Sequence, residues 1–369
     1  STLAEWEEML VSAENLFSQF AHLYTFVECL CSTDAQNAEY LQESAAMAAL
    51  SAEFSKLEVE FLRALKKAKK GDIEALKHRP GLKNAEYHLD RLREEARKAM
   101  STDKEVLAAE LGVDGISAWG RLYNQLTGKM EFDMEFPDGR KEKRPLAQRR
   151  SLMEDADPRI RKTAFVNGNR VFAEFEDVMA NALNHIAGTR LTLNKHRNYE
   201  HFLDVALIQS RISKKTLDAI FAAIDETLDL PQRIARAKAK ALGQKSLGWQ
   251  DQEAPMPVKD DKRFEWETGK AKVKAAFHSV FPELAEFLQM CIDKKWIEAE
   301  LKSGKRPGAY CTGSPLTKEP RVFMTFGGSL GDLSPLAHEV GHAYHSHVMK
   351  DLRVYARSYP MTLAESAST

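Results

Sequence analysis

Two histidines and a glutamate stand together near the end of the chain, His338, Glu339 and His342 in LSPLAHEVGHAYHSHVM, in the order H-E-x-x-H. Side chains four apart on a helix project from one face, so the two imidazoles can hold a single metal ion. The glutamate between them stands beside that ion, where it can take a proton from water. These residue types at this spacing suit metal-assisted hydrolysis. The bland reading is a chance match among the 11 histidines of the chain. His345 falls on the same side of the helix as the pair. It reads as a supporting or packing residue, because four ligands from one short helical arc would distort a tetrahedral site. A catalytic zinc takes three protein ligands and keeps one position open. Glu365, in PMTLAESAST, is the candidate for the third. Thr362 followed three residues later by Glu365 is equally a capping-box pattern, and periodicity does not separate the two roles.

A helix must present the pair. Asp332 or Ser334 can cap it, Pro335 suits its first turn, and Leu336, Val340 and Val348 offer apolar contacts. Gly341 costs roughly 1 kcal/mol inside such a helix, which implies that another backbone or a ligand approaches there. Just upstream, RVFMTFGGSL reads as a strand from Arg321 to Phe326 that breaks at Gly327 and Gly328. It is either purely structural or an edge beside the metal that holds an extended peptide through main-chain hydrogen bonds.

Helical spacing dominates the rest. From Leu3 to about Cys31, apolar residues from Trp6 to Leu23 recur at steps of three and four. A second helical stretch runs from a capping Asp34 to Lys70, ends at Gly71, and carries the run KKAKK as a solvated tail. A third spans Asn84 to Met100, with Ser101, Thr102 and Asp103 offering caps for the next. The pattern first breaks at MEFDMEFPDGRKEKRP, where Met130, Phe132, Met134 and Phe136 alternate with charged residues before the turn Pro137-Asp138-Gly139. This predicts a β-hairpin. Helical spacing resumes over 155–192, 214–241 and 268–299, and Trp249 to Arg263 reads as a polar loop. The expectation is a mostly α protein, with a helical N-terminal domain over 1–150 and the front part of a helical, zincin-like catalytic domain with a small β-sheet over 151–369.

The 369 residues, 43% hydrophobic, supply a sizeable core. With 53 Lys plus Arg against 54 Asp plus Glu, no global field argues for nucleic acid or acidic lipid. The sequence holds no long apolar run suited to a membrane span. Its four cysteines, Cys29, Cys31, Cys291 and Cys311, are too few and too scattered for a disulfide scaffold, which points to free thiols in the cytoplasm.

HEVGHAYH, followed by Glu365 in PMTLAESAST, resembles the oligoendopeptidase F branch of the thimet oligopeptidase family of zinc metallopeptidases. AWGRLYNQL around Trp119, DADPRIRKTAF from Asp155, KHRNYEHFLDVAL from Lys195 and KRPGAY from Lys305 extend the likeness over most of the chain. Pro335 and Ser366 depart from the family's usual pattern without touching the ligand set. The resemblance implies Zn2+ held by His338, His342 and Glu365, Glu339 as general base, and internal cleavage of short peptides in a channel between helical lobes. It further implies oxyanion-stabilising residues in a lobe beyond Thr369, so the chain is expected to stop before that lobe. The competing expectations are a helical zinc carboxypeptidase, and a helical protein that binds metal without turnover.

Overall fold

The protein is described from a computed structural model, which covers residues 2–257, 264–302, 305, 306, 308–328 and 330–368. The last part of the Trp249–Arg263 loop, Pro307 of KRPGAY, Ser329 and Thr369 lie outside the described residues. The mostly helical architecture is as expected, with one two-stranded and one three-stranded sheet among the described residues. By contact the chain forms two compact units, Ser1–Thr102 with Asp261–Thr369, and Asp103–Asp260. Residue 150, the boundary expected from the sequence, lies within the second unit.

The first unit starts on the helix Leu3–Thr33. A capping box fixes its beginning, since Thr2 Oγ1 accepts from the Glu5 amide and the Glu5 carboxylate accepts from the Thr2 amide. The next helix, Ala38–Lys67, is capped by Asn37 and not by Asp34. Asn37 Oδ1 accepts from the amides of Glu39 and Tyr40, while Asp34 closes the preceding helix. Nor does this helix run to Gly71. It stops at Lys67, and Gly71 lies inside a new helix, Lys70–Lys77. The turn between them lets Leu65 on one side and Ile73 and Leu76 on the other enter the same core. Leu10 of the first helix joins them, with Leu82 and with Leu89 and Ala96 of the helix Glu86–Lys98.

The second unit contains the predicted hairpin, strands β1 (Glu131–Glu135) and β2 (Lys141–Pro145), paired antiparallel. Phe132 and Met134 are buried while the acidic residues between them are exposed, as period-two alternation requires. Gly139, at φ +84°, takes the left-handed backbone of the turn. The hairpin shares its core with Ala164 of the helix Pro158–Glu174. On the same helix Arg161 is 2% exposed, and it donates to Asp251 Oδ1 at 2.9 and 2.7 Å and to the carbonyls of Asp155 and Ala156.

Back in the first unit, Trp266–Val280 and Pro282–Asp293 divide the expected 268–299 helix at Pro282. The chain then turns through Lys295, at φ +55°, into strand β3 (Ile297–Glu298). Strands β4 (Tyr310–Ser314) and β5 (Glu319–Phe323) complete a sheet in the order β3-β5-β4, with β3 parallel and β4 antiparallel to β5. The strand expected over Arg321 to Phe326 is therefore central. The edges are β3 and β4, because β5 is paired on both sides.

Candidate active site and metal centre

Why the sheet lies where it does follows from its alternation. Val322 and Cys311, directly paired, enter the apolar cluster that holds Leu336, Val340 and Ala343 of the helix Leu333–Val348. Tyr310 stacks on Phe323 with centroids 4.9 Å apart. Ser314, of the same parity as Tyr310, meets His22 Nδ1 of the first helix at 2.8 Å, and Thr25 Oγ1 donates to the Gly313 carbonyl. The sheet is thus sandwiched between the first helix and the helix that carries the H-E-x-x-H residues.

This site helix differs in detail from expectation. Asp332 occupies its N-cap position without capping it, and its Oδ2 instead accepts from the Gly327 amide at 3.1 Å. The carboxylate so ties the site helix to the chain leaving β5, a strand that ends at Phe323 rather than at the expected Phe326, before the chain turns at Gly328, φ +86°. Leu336 and Val340 are fully buried, but Val348, expected to be an apolar contact, is exposed at the helix end.

His338 and His342 project together, their rings 4.7 Å apart at 82°. The short helix Met361–Ala367 brings Glu365 to them, with Oε2 3.2 Å from His338 Nε2 and 3.7 Å from His342 Nε2. Ligands about 2.0–2.2 Å from a tetrahedral zinc lie about 3.3–3.6 Å from one another. The two nitrogens and one carboxylate oxygen, all within 4.8 Å of one another, are donor types that suit a zinc ion, and the two separations from the carboxylate oxygen lie close to that range. The capping-box alternative for Glu365 does not occur. Pro360 is the N-cap residue, no side chain caps this helix, and Thr362 lies within it.

Burial and charge suit these roles. Glu339 is 6% exposed, and burial pushes its carboxyl up from the ordinary value, opposed by His338 and reinforced by the Glu365 carboxylate. Burial, followed by the neighbouring His338, holds His342 below the usual imidazole range, which favours the neutral ring a metal needs. His345 stands apart from the three converging groups. Its ring packs on Tyr359, centroids 4.5 Å apart, and its buried Nδ1 has no hydrogen-bond partner among the described residues. The His347 ring lies against Phe287.

Gly341 explains how Glu365 gets so close. A Cβ there would sit 2.8 Å from the Ser368 Cα and 3.0 Å from its carbonyl oxygen. The backbone that follows Glu365 crosses the site helix at this point, the close approach its glycine implied.

Sequence reasoning missed the groups that hold the connection over 349–360. Arg353 pairs with the buried Glu14 of the first helix, Arg357 donates to the carbonyls of Leu352 and Lys350, and the Tyr355 ring stacks on His88. No local signal marks the Arg353 and Tyr355 pairs, because their partners on the first helix and at His88 lie hundreds of residues away, whereas Arg357 bonds within its own connection. A cavity of about 820 Å³ in the second unit, lined by Tyr123, Phe172, Met179 and Leu183, contains none of the site residues.

Residues 151–369 match the sequence pattern of Peptidase family M3, and residues 65–132 match that of Oligopeptidase F. An oligoendopeptidase F homolog of Lactococcus lactis subsp. lactis is 26% identical over 380 residues, which cover 98% of this chain and 61% of the relative. Oligopeptidase PepF of Bacillus subtilis is 22% identical over 379 residues, covering 98% of this chain and 54% of that protein. The chain thus spans about six-tenths or less of these curated relatives. In fold it is similar to PZ peptidase A solved with an inhibitor, at TM-score 0.76 and 18% identity over 100% of this chain and 64% of that one. Oligoendopeptidase-F from Enterococcus faecium follows the same fold at TM-score 0.67 and 18% identity, over 99% of this chain and 60% of that one.

Proposed function

The chain belongs to peptidase family M3, in its oligoendopeptidase F branch, and on that premise we propose that it is a zinc-dependent endopeptidase acting on internal bonds of short peptides. The observation that carries this reading is the convergence of His338, His342 and Glu365 on one point with the buried Glu339 beside it.

His338 and His342 would hold the ion from one helix face and Glu365 from the opposite side. A zinc ion bound there supplies Lewis acidity, polarising a peptide carbonyl and making water more acidic. Glu339 takes the proton from the attacking water and returns it to the leaving amine. Its raised carboxyl pKa brings it closer to neutral pH, where a group that must both accept and release a proton works best. The substrate edge expected on β5 transfers to β4, the edge strand whose Cys311 packs toward the site helix. Burial also raises the Cys311 thiol, and the nearby Glu339 carboxylate adds to the rise. That keeps it a neutral wall rather than a competing nucleophile. The four free cysteines support a cytoplasmic setting. Among the described residues no helix is long and apolar enough to cross a membrane.

The test combines zinc content with cleavage of a quenched short peptide and analysis of its products. Glu339→Gln should keep its zinc and lose hydrolysis. Release of C-terminal residues one at a time would identify a carboxypeptidase instead, and zinc binding with no cleavage by the unaltered protein would favour a metal-binding role without turnover.

A further inference from the structure

We propose that Glu14 is a positioning residue for the metal centre, acting from the first helix on the connection that delivers Glu365. This rests on the metallopeptidase reading above. The connection over 349–360 contains one turn of 3-10 helix, Val354–Ala356, and no longer regular element. Glu365 follows it on a seven-residue helix. A helix so short holds itself poorly, so its placement depends on what anchors the chain before it.

Glu14 is 8% exposed, and both its oxygens are committed to that chain. Oε1 accepts from Arg353 Nε at 3.2 Å and from the Tyr355 amide at 2.9 Å, and Oε2 accepts from the second arm of the Arg353 fork. The remaining arm of Arg353 donates to the carbonyls of Gly81 and Lys83, at 3.1 and 2.9 Å. The Tyr355 hydroxyl donates to the Leu10 carbonyl at 3.0 Å. Among the described residues the hydrogen bonds of the Glu14 carboxylate run to residues 353 and 355, and His88 acts on it by charge alone. The first helix does not need them to stay packed, because Leu10 is fully buried among Leu65, Ile73 and Leu76 in its own right. Loss of the carboxylate charge frees the connection more than it loosens the helix. Metal ligation tolerates only about 0.2 Å of displacement, so a freed connection is felt at Glu365.

The experiment compares Glu14→Gln with the unaltered chain and with Asp251→Asn, which breaks a buried pair in the second unit. Zinc affinity is measured by chelator competition on apoprotein, ligand geometry by the visible spectrum of the Co2+ form, and stability by thermal unfolding. Glu14→Gln should bind zinc about 10-fold more weakly, and its cobalt spectrum should move toward that of Glu365→Ala. Asp251→Asn should lower the unfolding temperature with affinity and spectrum unchanged. If Glu14→Gln does not fold, Arg353→Lys carries the same test, keeping the charge and losing the fork. A folded variant with unchanged affinity and spectrum would overturn the proposal, since Glu14 would then serve stability alone. Absence of zinc binding by the unaltered chain would sink the metal reading itself, and this inference with it.

Discussion

Gly341→Ala sets two effects of opposite sign against each other. In an exposed helix the change would stabilise by about 1 kcal/mol, because alanine is the better helix former. Here the new methyl would lie 2.8 Å from the Ser368 Cα, about 0.6 Å short of an ordinary 3.4 Å contact. The obstacle is backbone on one side and a fully packed helix on the other, since Val340 and Ala343 are buried beside it. Overpacking of this kind costs about 1–3 kcal/mol, so the net change should run from near zero to about 2 kcal/mol destabilising. The more telling consequence lies at Glu365, three residues before Ser368. A shift of the short helix by about 0.6 Å exceeds the roughly 0.2 Å that a metal ligand tolerates. Zinc affinity should then fall at least about 10-fold, the scale seen when the support of a ligand is lost. Chelator competition reads the affinity, and thermal unfolding of the apoprotein reads the stability. A variant that gains stability and keeps its zinc affinity would refute the reasoning, because the crossing at Gly341 would then be loose.

Glu365→Ala should lower zinc occupancy after dialysis as His342→Ala does, and full retention of zinc would remove Glu365 from the ligand set. Asp251→Asn should destabilise by about 3–5 kcal/mol, measured by denaturant unfolding, because it strands the buried Arg161 charge. Acid sensitivity should trace in part to Glu7. Its carboxyl is held below the ordinary 4.5 by the Gly81 amide first and by Arg79 next. A lowered folded value means that the stabilisation is present above that ordinary value and is lost as the pH falls through the folded one. Glu7→Gln should flatten the decline of the unfolding midpoint below about pH 4.5, and an unchanged acid limb would count against the assignment.

What the sequence determined by itself was local. H-E-x-x-H specified two imidazoles on one helical face with a carboxylate between them, since helical spacing alone fixes which side chains share a face. The alternation from Met130 to Phe136 specified the hairpin, and Gly341 signalled a close approach without saying of what. The ends of elements were less legible. Asn37 rather than Asp34 caps the second helix, because Cys31 of the first helix and Met47 of the second enter one core and the turn joining them sets where the chain re-enters a helix. Glu365 shows the limit best. Its spacing from Thr362 served a cap as well as a ligand, and only the tertiary structure removes the cap and, by the crossing of two helices, brings its Oε2 to 3.2 Å from His338. The same holds for β5, whose sequence is that of a strand but whose central place depends on partners on both sides. Glu14 and Arg353, 339 residues apart, meet only because the first helix and the chain beyond the site helix belong to one unit. Residue type and spacing encode which groups can share a face, whereas contacts between distant segments are set by how the apolar faces of whole helices are buried against one another.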